Sequence, residues 1–159
     1  IPPFTDYAMK GKTYRFFTGE PLFTFGYGLS YTTFGYANLV LPKQISVGDS
    51  VKVSVDVTNT GKRDGEEVVQ LYVKGRATAG EPIRSLEGFQ RIALKANQKK
   101  TVEFTLKPEQ VSHVVADGRR LIDPGIMEIS VGGQQPIAGA SNVLTGSFEI
   151  SGTQKQLPN

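Results

Sequence analysis

The sequence predicts an all-β protein, an antiparallel sandwich of two sheets preceded by an extended, aromatic-rich N-terminal arm. Three observations predict this architecture. Short runs of alternating apolar and polar residues are separated by turn signals about every ten residues. No run has the length and period of a long helix. Eleven of the fifteen aromatic residues lie within the first 36 positions.

The arm is predicted to span residues 1–35. Glycine and proline recur between Lys10 and Gly35 without the period of a strand or a helix. Ordering so many residues takes more free energy than burial of the arm's rings returns, so the arm cannot order by itself. We therefore expect it to pack on a surface supplied by the rest of the chain or by a partner.

The sandwich is predicted to span residues 36–151. Its clearest strand is Val51–Thr58, where four valines alternate with polar residues, and Asn59-Thr60-Gly61-Lys62 follows as a turn. Pro108–Ser112 predicts one helical turn, and residues 152–159 are expected to form a frayed tail. The other predicted strands are Tyr36–Leu41, Glu66–Lys74, Leu86–Leu94, Thr101–Leu106, Arg120–Ile122, Gly125–Val131 and Leu144–Ile150.

Charge and composition exclude several classes of function. The net charge is only +3, and the basic pairs fall where turns are expected, so no basic face for nucleic acid is predicted. No apolar stretch is long enough to span a bilayer, and the absence of cysteine excludes thiolate chemistry. The start at Ile1 suggests a point inside a longer polypeptide. The basic pairs are Lys62-Arg63, Lys99-Lys100 and Arg119-Arg120.

The sequence contains no recognisable catalytic or metal-binding set. Glu66 and Glu67 are adjacent on a predicted strand, so their side chains point to opposite faces and cannot act together on one substrate. His113 has no cluster of ligands with which to share a metal. The segment Gly26–Ser30 lacks the third glycine of a dinucleotide loop and the Gly-Lys-Ser/Thr of a phosphate loop. We expect no catalytic residue, metal or cofactor in this chain.

Three classes of function remain open from the residues alone: an accessory domain of an enzyme, a sugar-binding module that uses exposed rings, and an adhesion-type spacer. A sugar-binding platform needs flat rings on the sandwich itself. After Tyr36 the sandwich holds only Tyr72, Phe89, Phe104 and Phe148, and core packing is expected for all four. A spacer has no need of the aromatic arm.

Several long motifs resemble a known family. Lys12–Phe17 and Glu20–Phe34 resemble the segment that leaves the second catalytic domain of glycoside hydrolase family 3 enzymes. Val57–Val73 resembles the first hairpin of their C-terminal fibronectin type III-like domain, which has an immunoglobulin-like fold. Leu86–Arg91 and Pro124–Gly132 are similar to its later strands. The stretch Asp6–Arg15 resembles the β-xylosidase subgroup more than the β-glucosidases.

The resemblance implies that the parent enzyme is a retaining exo-glycosidase with an aspartate nucleophile and a carboxylate acid/base, both outside this chain. The chain would then be a non-catalytic accessory domain that stabilises and orients the catalytic domains of the same enzyme, which are its expected partner, possibly as a separate chain. A homo-oligomer of the parent enzyme stays open, and a secreted or periplasmic location is favoured. The rings expected to pack on the catalytic domains are Phe16, Phe17, Phe23, Phe25, Tyr27 and Tyr31.

Tyr14 and Arg15 are the candidates for contact with substrate. Arg15 offers five hydrogen-bond donors to sugar hydroxyls, and Tyr14 offers a ring on which a sugar can stack. The alternative is a packed tyrosine beside a structural arginine. A carbohydrate-binding or adhesion-type module is the alternative to the accessory domain as a whole.

Overall fold

The structure is a computed structural model that describes residues 3–5, 7–74, 81–137, 140 and 142–158. Over these residues it contains eleven strands, one single-turn α-helix, α1 (Thr13–Phe16), and one 3₁₀ turn (Pro108–Val111). The strands are β1 (Phe34–Val40), β2 (Gln44–Ser46), β3 (Val51–Asn59), β4 (Gly65–Lys74), β5 (Arg84–Leu94), β6 (Lys99–Leu106), β7 (His113–Val114), β8 (Arg120–Ile122), β9 (Gly125–Gly132), β10 (Val143–Ser151) and β11 (Lys155–Gln156).

Two sheets form the sandwich. The smaller has three strands in the order β1-β3-β6, and the larger has five in the order β2-β10-β9-β4-β5. A third, small sheet, β11-β8-β7, lies beside them. All pairs are antiparallel except β2 with β10, which is parallel. The predicted antiparallel two-sheet sandwich is confirmed, and the one parallel pair involves β2, a short strand that the sequence does not predict.

The core lies between the inner faces of the two large sheets. On β3 the alternation predicted from the sequence holds, because Val51, Val53, Val55 and Val57 are all buried. The facing sheet contributes apolar side chains from β4, β9 and β10, which interdigitate with the valines across the sandwich. These facing residues include Val69, Leu71, Val73, Met127, Ile129, Val131, Phe148 and Ile150.

The predicted strands and the helical turn are all present in the structure. Three begin two residues earlier than predicted, namely β1, β5 and β6. As a result the pair Lys99-Lys100 lies at the start of β6 and not in a turn. The Nζ of Lys99 is 3.1 Å from Oδ2 of Asp56 on the neighbouring strand. The short strands β2, β7 and β11 were not predicted.

The expected frayed tail after Ser151 is wrong. Residues Lys155 and Gln156 pair with β8, and the Leu157 side chain is buried in the core. The backbone N–H of Leu157 also donates to the carbonyl of Arg120, at 2.9 Å. The last described residues are therefore part of the packed structure.

One of the four sandwich rings is not in the core. Tyr72, Phe104 and Phe148 are buried, whereas Phe89 is 69% exposed. On β5 the inward positions are those of Ile92 and Leu94, and Phe89 is out of phase with them. Core packing of Phe89 is therefore a wrong prediction.

Candidate functional site

The arm lies on the outer face of the five-stranded sheet and is held there by α1. The Tyr14 ring stacks on Phe25, with centroids 4.0 Å apart and planes at 12°, and meets the edge of Tyr72 at 6.3 Å. The Tyr14 hydroxyl accepts a hydrogen bond from the backbone N–H of Leu86, at 3.0 Å. Tyr14 therefore occupies a packed position between the arm and the sandwich.

Two glutamines clamp the arm backbone. The amide Nε2 of Gln70 donates to the carbonyls of Gly26 and Gly133, at 3.1 and 2.8 Å. Gly26 has a φ of +78°, and a Cβ there would lie 2.0 Å from Oε1 of Gln70, so the position requires glycine. Gln135 donates from its backbone N–H to the carbonyl of Phe25, at 2.9 Å, and from Nε2 to the carbonyl of Tyr14, at 3.3 Å.

A buried asparagine fixes the junction of the arm and β1. The Oδ1 atom of Asn59 accepts hydrogen bonds from the Thr32 hydroxyl, at 2.6 Å, and from the backbone N–H of Gly61, at 3.1 Å. Its Nδ2 donates to the carbonyls of Arg63 and Leu94, at 2.8 and 3.1 Å. The side chain is fully buried and its hydrogen bonds are satisfied, which stabilises this junction.

The other side of the arm presents apolar side chains to solvent. We call this surface the arm face and define it by Phe17, Leu22, Phe23, Phe25, Tyr27, Leu29 and Tyr31, all exposed. Phe23 and Tyr27 lie side by side, with centroids 5.2 Å apart, and Tyr31 is 92% exposed. Of the six rings expected to pack on other domains, five belong to the arm face, and Phe16 is half-buried.

A cleft of about 970 Å³ opens beside the arm face. We call it the arm groove. The rings of Tyr14, Phe17, Phe23 and Phe25 line one side, and the start of β5 with the loop after β9 lines the other. The residues on this second side are Ile83, Arg84, Gln135 and Ile137.

Arg15 faces a different cleft, of about 570 Å³. Its guanidinium donates to the Ser85 hydroxyl, at 2.9 Å, and its carbonyl accepts from the backbone N–H of Ile83, at 2.7 Å. Burial raises the pKa of Glu87, which lines the same cleft and is hydrogen-bonded to Gln110. Tyr14 and Arg15 thus lie near different clefts.

Two polar pairs were missed by sequence reasoning. The Tyr36 hydroxyl donates to Oε1 of Glu67, at 2.6 Å, and this bond joins the two sheets. Burial raises the pKa of Glu67, while its neighbour Glu66 pairs with Arg91 on the opposite face. The Tyr36–Glu67 pair has no repeating sequence signal, because its two members come from different sheets.

His113 lies with its Nε2 at 3.5 Å from Oδ2 of Asp123. Its Nδ1 is buried and has no hydrogen-bond partner among the described residues. Within the part of the chain that the structure describes, no group of three or more His, Asp or Glu side chains is placed to hold a metal ion. No helix in that part is long and apolar enough to cross a membrane.

Comparison with known proteins agrees with this architecture. The family of fibronectin type III-like domains matches residues 67–135. A β-xylosidase of Formosa agariphila is 45% identical over 130 residues, which is 80% of this chain and 18% of the enzyme. This chain carries a fibronectin type III-like domain of glycoside hydrolase family 3. A periplasmic β-glucosidase of Salmonella typhimurium is 37% identical to the domain and its arm over 152 residues, 93% of this chain and 19% of that enzyme.

Solved structures match the fibronectin type III-like domain and the arm together. A β-glucosidase of Erythrobacter marinus superposes with a TM-score of 0.76 at 35% identity, over 91% of this chain and 19% of that chain. A β-glucosidase of Listeria innocua gives 0.75 at 32% identity, over 84% and 18%. The chain therefore spans less than a fifth of the length of the relatives named here.

Proposed function

We propose that this chain is the non-catalytic accessory domain of a retaining, exo-acting glycoside hydrolase of the β-xylosidase or β-glucosidase type. It stabilises and orients the catalytic domains of the same enzyme, which supply the reacting carboxylates. The rings that pack on those domains are Phe16, Phe17, Phe23, Phe25, Tyr27 and Tyr31.

The arm face is the observation that carries this proposal. Its seven side chains are exposed, although the arm backbone is clamped by Gln70 and Gln135. Phe23 and Tyr27 are in contact, and an exposed group of apolar side chains on one segment is typical of an interaction site. The relatives support the choice of partner, because more than four fifths of their length lies outside the region matched by this chain.

The test is a chimera in which this chain replaces the matching region of the Formosa agariphila β-xylosidase. Phe23→Ala removes a ring of the arm face, and Phe89→Ala removes an equally exposed ring of the sandwich. In the isolated chain we expect both changes to alter stability by less than about 0.5 kcal/mol. In the chimera we expect only Phe23→Ala to lower the melting temperature, by about 5 °C.

Equal effects of the two substitutions in the chimera would contradict docking through the arm face. The isolated chain is also expected to show no turnover of an aryl β-xyloside above background. Clear hydrolysis by the isolated chain would contradict a non-catalytic role.

Contact of Tyr14 or Arg15 with substrate remains a separate proposal. Arg15 is exposed and lines a cleft, whereas the Tyr14 ring is stacked on Phe25. Arg15→Ala in the chimera tests this contact: a contact with substrate lowers kcat/KM, and a packing role lowers the melting temperature with kcat/KM unchanged.

A carbohydrate-binding module is the second candidate, and the exposed ring of Phe89 is the observation that favours it. Flat exposed rings provide stacking surfaces for sugars. Such a module is retained on insoluble xylan or cellulose, and Phe89→Ala releases it. An accessory domain shows no retention in the same pull-down.

A further inference from the structure

Arg84 is a half-buried cation that has no bonded partner in the described structure. It is the first residue of β5 and lines both the arm groove and an adjoining cleft that contains Glu128. Burial lowers the pKa of Arg84. Among the described residues its guanidinium forms no hydrogen bond and no ion pair, although it carries five donors.

Two cations meet at Arg84, one on each of two neighbouring strands. Lys74 lies directly opposite Arg84 on the neighbouring strand, and like charges in this position repel. One carboxylate, that of Glu128, attracts both, and it lies 3.3 Å from the Nζ of Lys74. Glu20 also lines the arm groove, but it forms no ion pair with Arg84. Arg84 and Lys74 are therefore two cations that share one carboxylate, and only Lys74 forms an ion pair with it.

The surroundings of Arg84 define the group that it can bind. A guanidinium binds a carboxylate through two parallel hydrogen bonds, and the pair is strongest where water is excluded. The rings of Tyr14, Phe17 and Phe25 line the same groove and offer apolar contact beside that pair. A singly charged carboxylate next to an apolar group therefore matches both the charge and the lining of the groove.

We propose that the arm groove receives an Asp or Glu side chain, flanked by an apolar side chain, from the catalytic part of the enzyme. Arg84 is its bidentate partner. This inference rests on the proposed function and specifies one contact within it. The contact fixes the position of the arm face on its partner, because the two hydrogen bonds of the pair are directional while burial of apolar surface is not.

The test compares Arg84→Gln in the isolated chain and in the chimera. In the isolated chain we expect no loss of stability, because the substitution removes a cation that repels Lys74. In the chimera we expect the melting temperature to fall by roughly 5 °C, because a carboxylate is left buried without its partner. Arg84→Lys keeps the charge but cannot donate two parallel hydrogen bonds to a carboxylate. We therefore expect it to lower the melting temperature of the chimera by less than Arg84→Gln does.

Arg91→Gln is the matched control. Arg91 lies on the same strand but pairs with the surface residue Glu66, so its substitution should have the same small effect in both contexts. Equal effects of Arg84→Gln in the isolated chain and in the chimera would overturn the inference. If Phe23→Ala destabilises the chimera but Arg84→Gln does not, the Arg84 contact is wrong and the proposed function stands. If neither substitution destabilises the chimera, the proposed function is wrong as well.

A peptide library displayed on phage gives a second measurement that does not depend on the chimera. Selection on the isolated chain, with removal of phage that bind the Arg84→Gln variant, is expected to enrich an acidic residue next to an apolar one. Absence of enrichment contradicts the inference. Enrichment that appears only in the Glu20→Gln variant assigns Glu20 as the internal partner of Arg84 and also overturns it.

Discussion

Phe148 in the sandwich and Phe23 in the arm are the same residue type in opposite surroundings. Phe148 is 2% exposed and packs between two sheets, whereas Phe23 is 65% exposed on the arm face. The sandwich buries its apolar side chains with its own strands. In the arm, Gln70 and Gln135 donate to three backbone carbonyls, but the rings of the arm face stay exposed. The chain thus combines a domain that buries its own core with a segment whose ordered backbone presents exposed rings.

The largest expected effect tests this contrast directly. Phe148→Ala should lower the free energy of unfolding of the isolated chain by about 4 kcal/mol, because it leaves a cavity in the core. Phe23→Ala is the matched change on the arm face and should alter it by less than about 0.5 kcal/mol. Urea unfolding measures both. Similar losses from the two substitutions would mean that the arm rings are already packed within this chain.

The next effect concerns the junction between the two regions. Asn59→Asp should destabilise the chain by about 3 kcal/mol, because Nδ2 no longer donates to the carbonyls of Arg63 and Leu94 and a carboxylate is buried beside them. Asn97→Asp makes the same change at an exposed turn position and should be nearly neutral. Thermal unfolding of both variants measures the difference. A neutral Asn59→Asp would show that the two bonds donated by Nδ2 do not stabilise this junction.

A smaller effect extends the comparison to the C-terminal strand. Leu157→Ala should lower the free energy of unfolding by about 2 kcal/mol, since this side chain is buried beneath β11. Leu29→Ala, on the arm face, is the control and should have almost no effect in the isolated chain, because Leu29 is 90% exposed. Chemical denaturation distinguishes the two. Equal losses from the two substitutions would show that residues 155–157 do not pack stably on the sandwich.

The smallest expected effect is the pH dependence of stability that comes from Asp56, on the surface of the sandwich. Hydrogen bonds from Thr101, Asn38 and Lys99 lower the pKa of Asp56 to about 2, from an ordinary value of 3.8. Because the folded-state pKa is the lower one, the stabilisation is present above pH 3.8 and is lost as the pH falls toward about 2. Asp56→Asn should reduce the slope of stability against pH within this window. An unchanged slope would show that these bonds do not favour the charged form.

The parts of the fold that could be predicted are those encoded by local period. The valine alternation of β3 predicts its buried face because side-chain direction on a strand alternates with each residue. The same argument, applied to β5, places the Phe89 side chain on the face opposite to that of Ile92 and Leu94. The exposure of Phe89 was therefore predictable from the alternation along this strand. Gly88 takes the inward position instead, and Phe104 fills the space over it.

The parts that could not be predicted depend on contacts between distant residues. β11 is two polar residues long, and only its pairing with β8 makes it a strand. The Tyr36–Glu67 bond joins residues from different sheets. At the candidate site, the sequence indicates an aromatic arm, but the separation into a clamped side and an exposed side requires Gln70 and Gln135. These two polar residues carry no distinctive local signal.

Gln70 links the arm to the loop that follows the neighbouring strand β9. One Nε2 group donates to Gly26 of the arm and to Gly133 after β9, and the Tyr72 hydroxyl donates to Oε1, which fixes the orientation of the amide. Lifting the arm therefore also exposes this amide to water. Exchange of the Nε2 hydrogen that is bonded to Gly26 consequently follows the opening of the arm, without any probe attached to the chain.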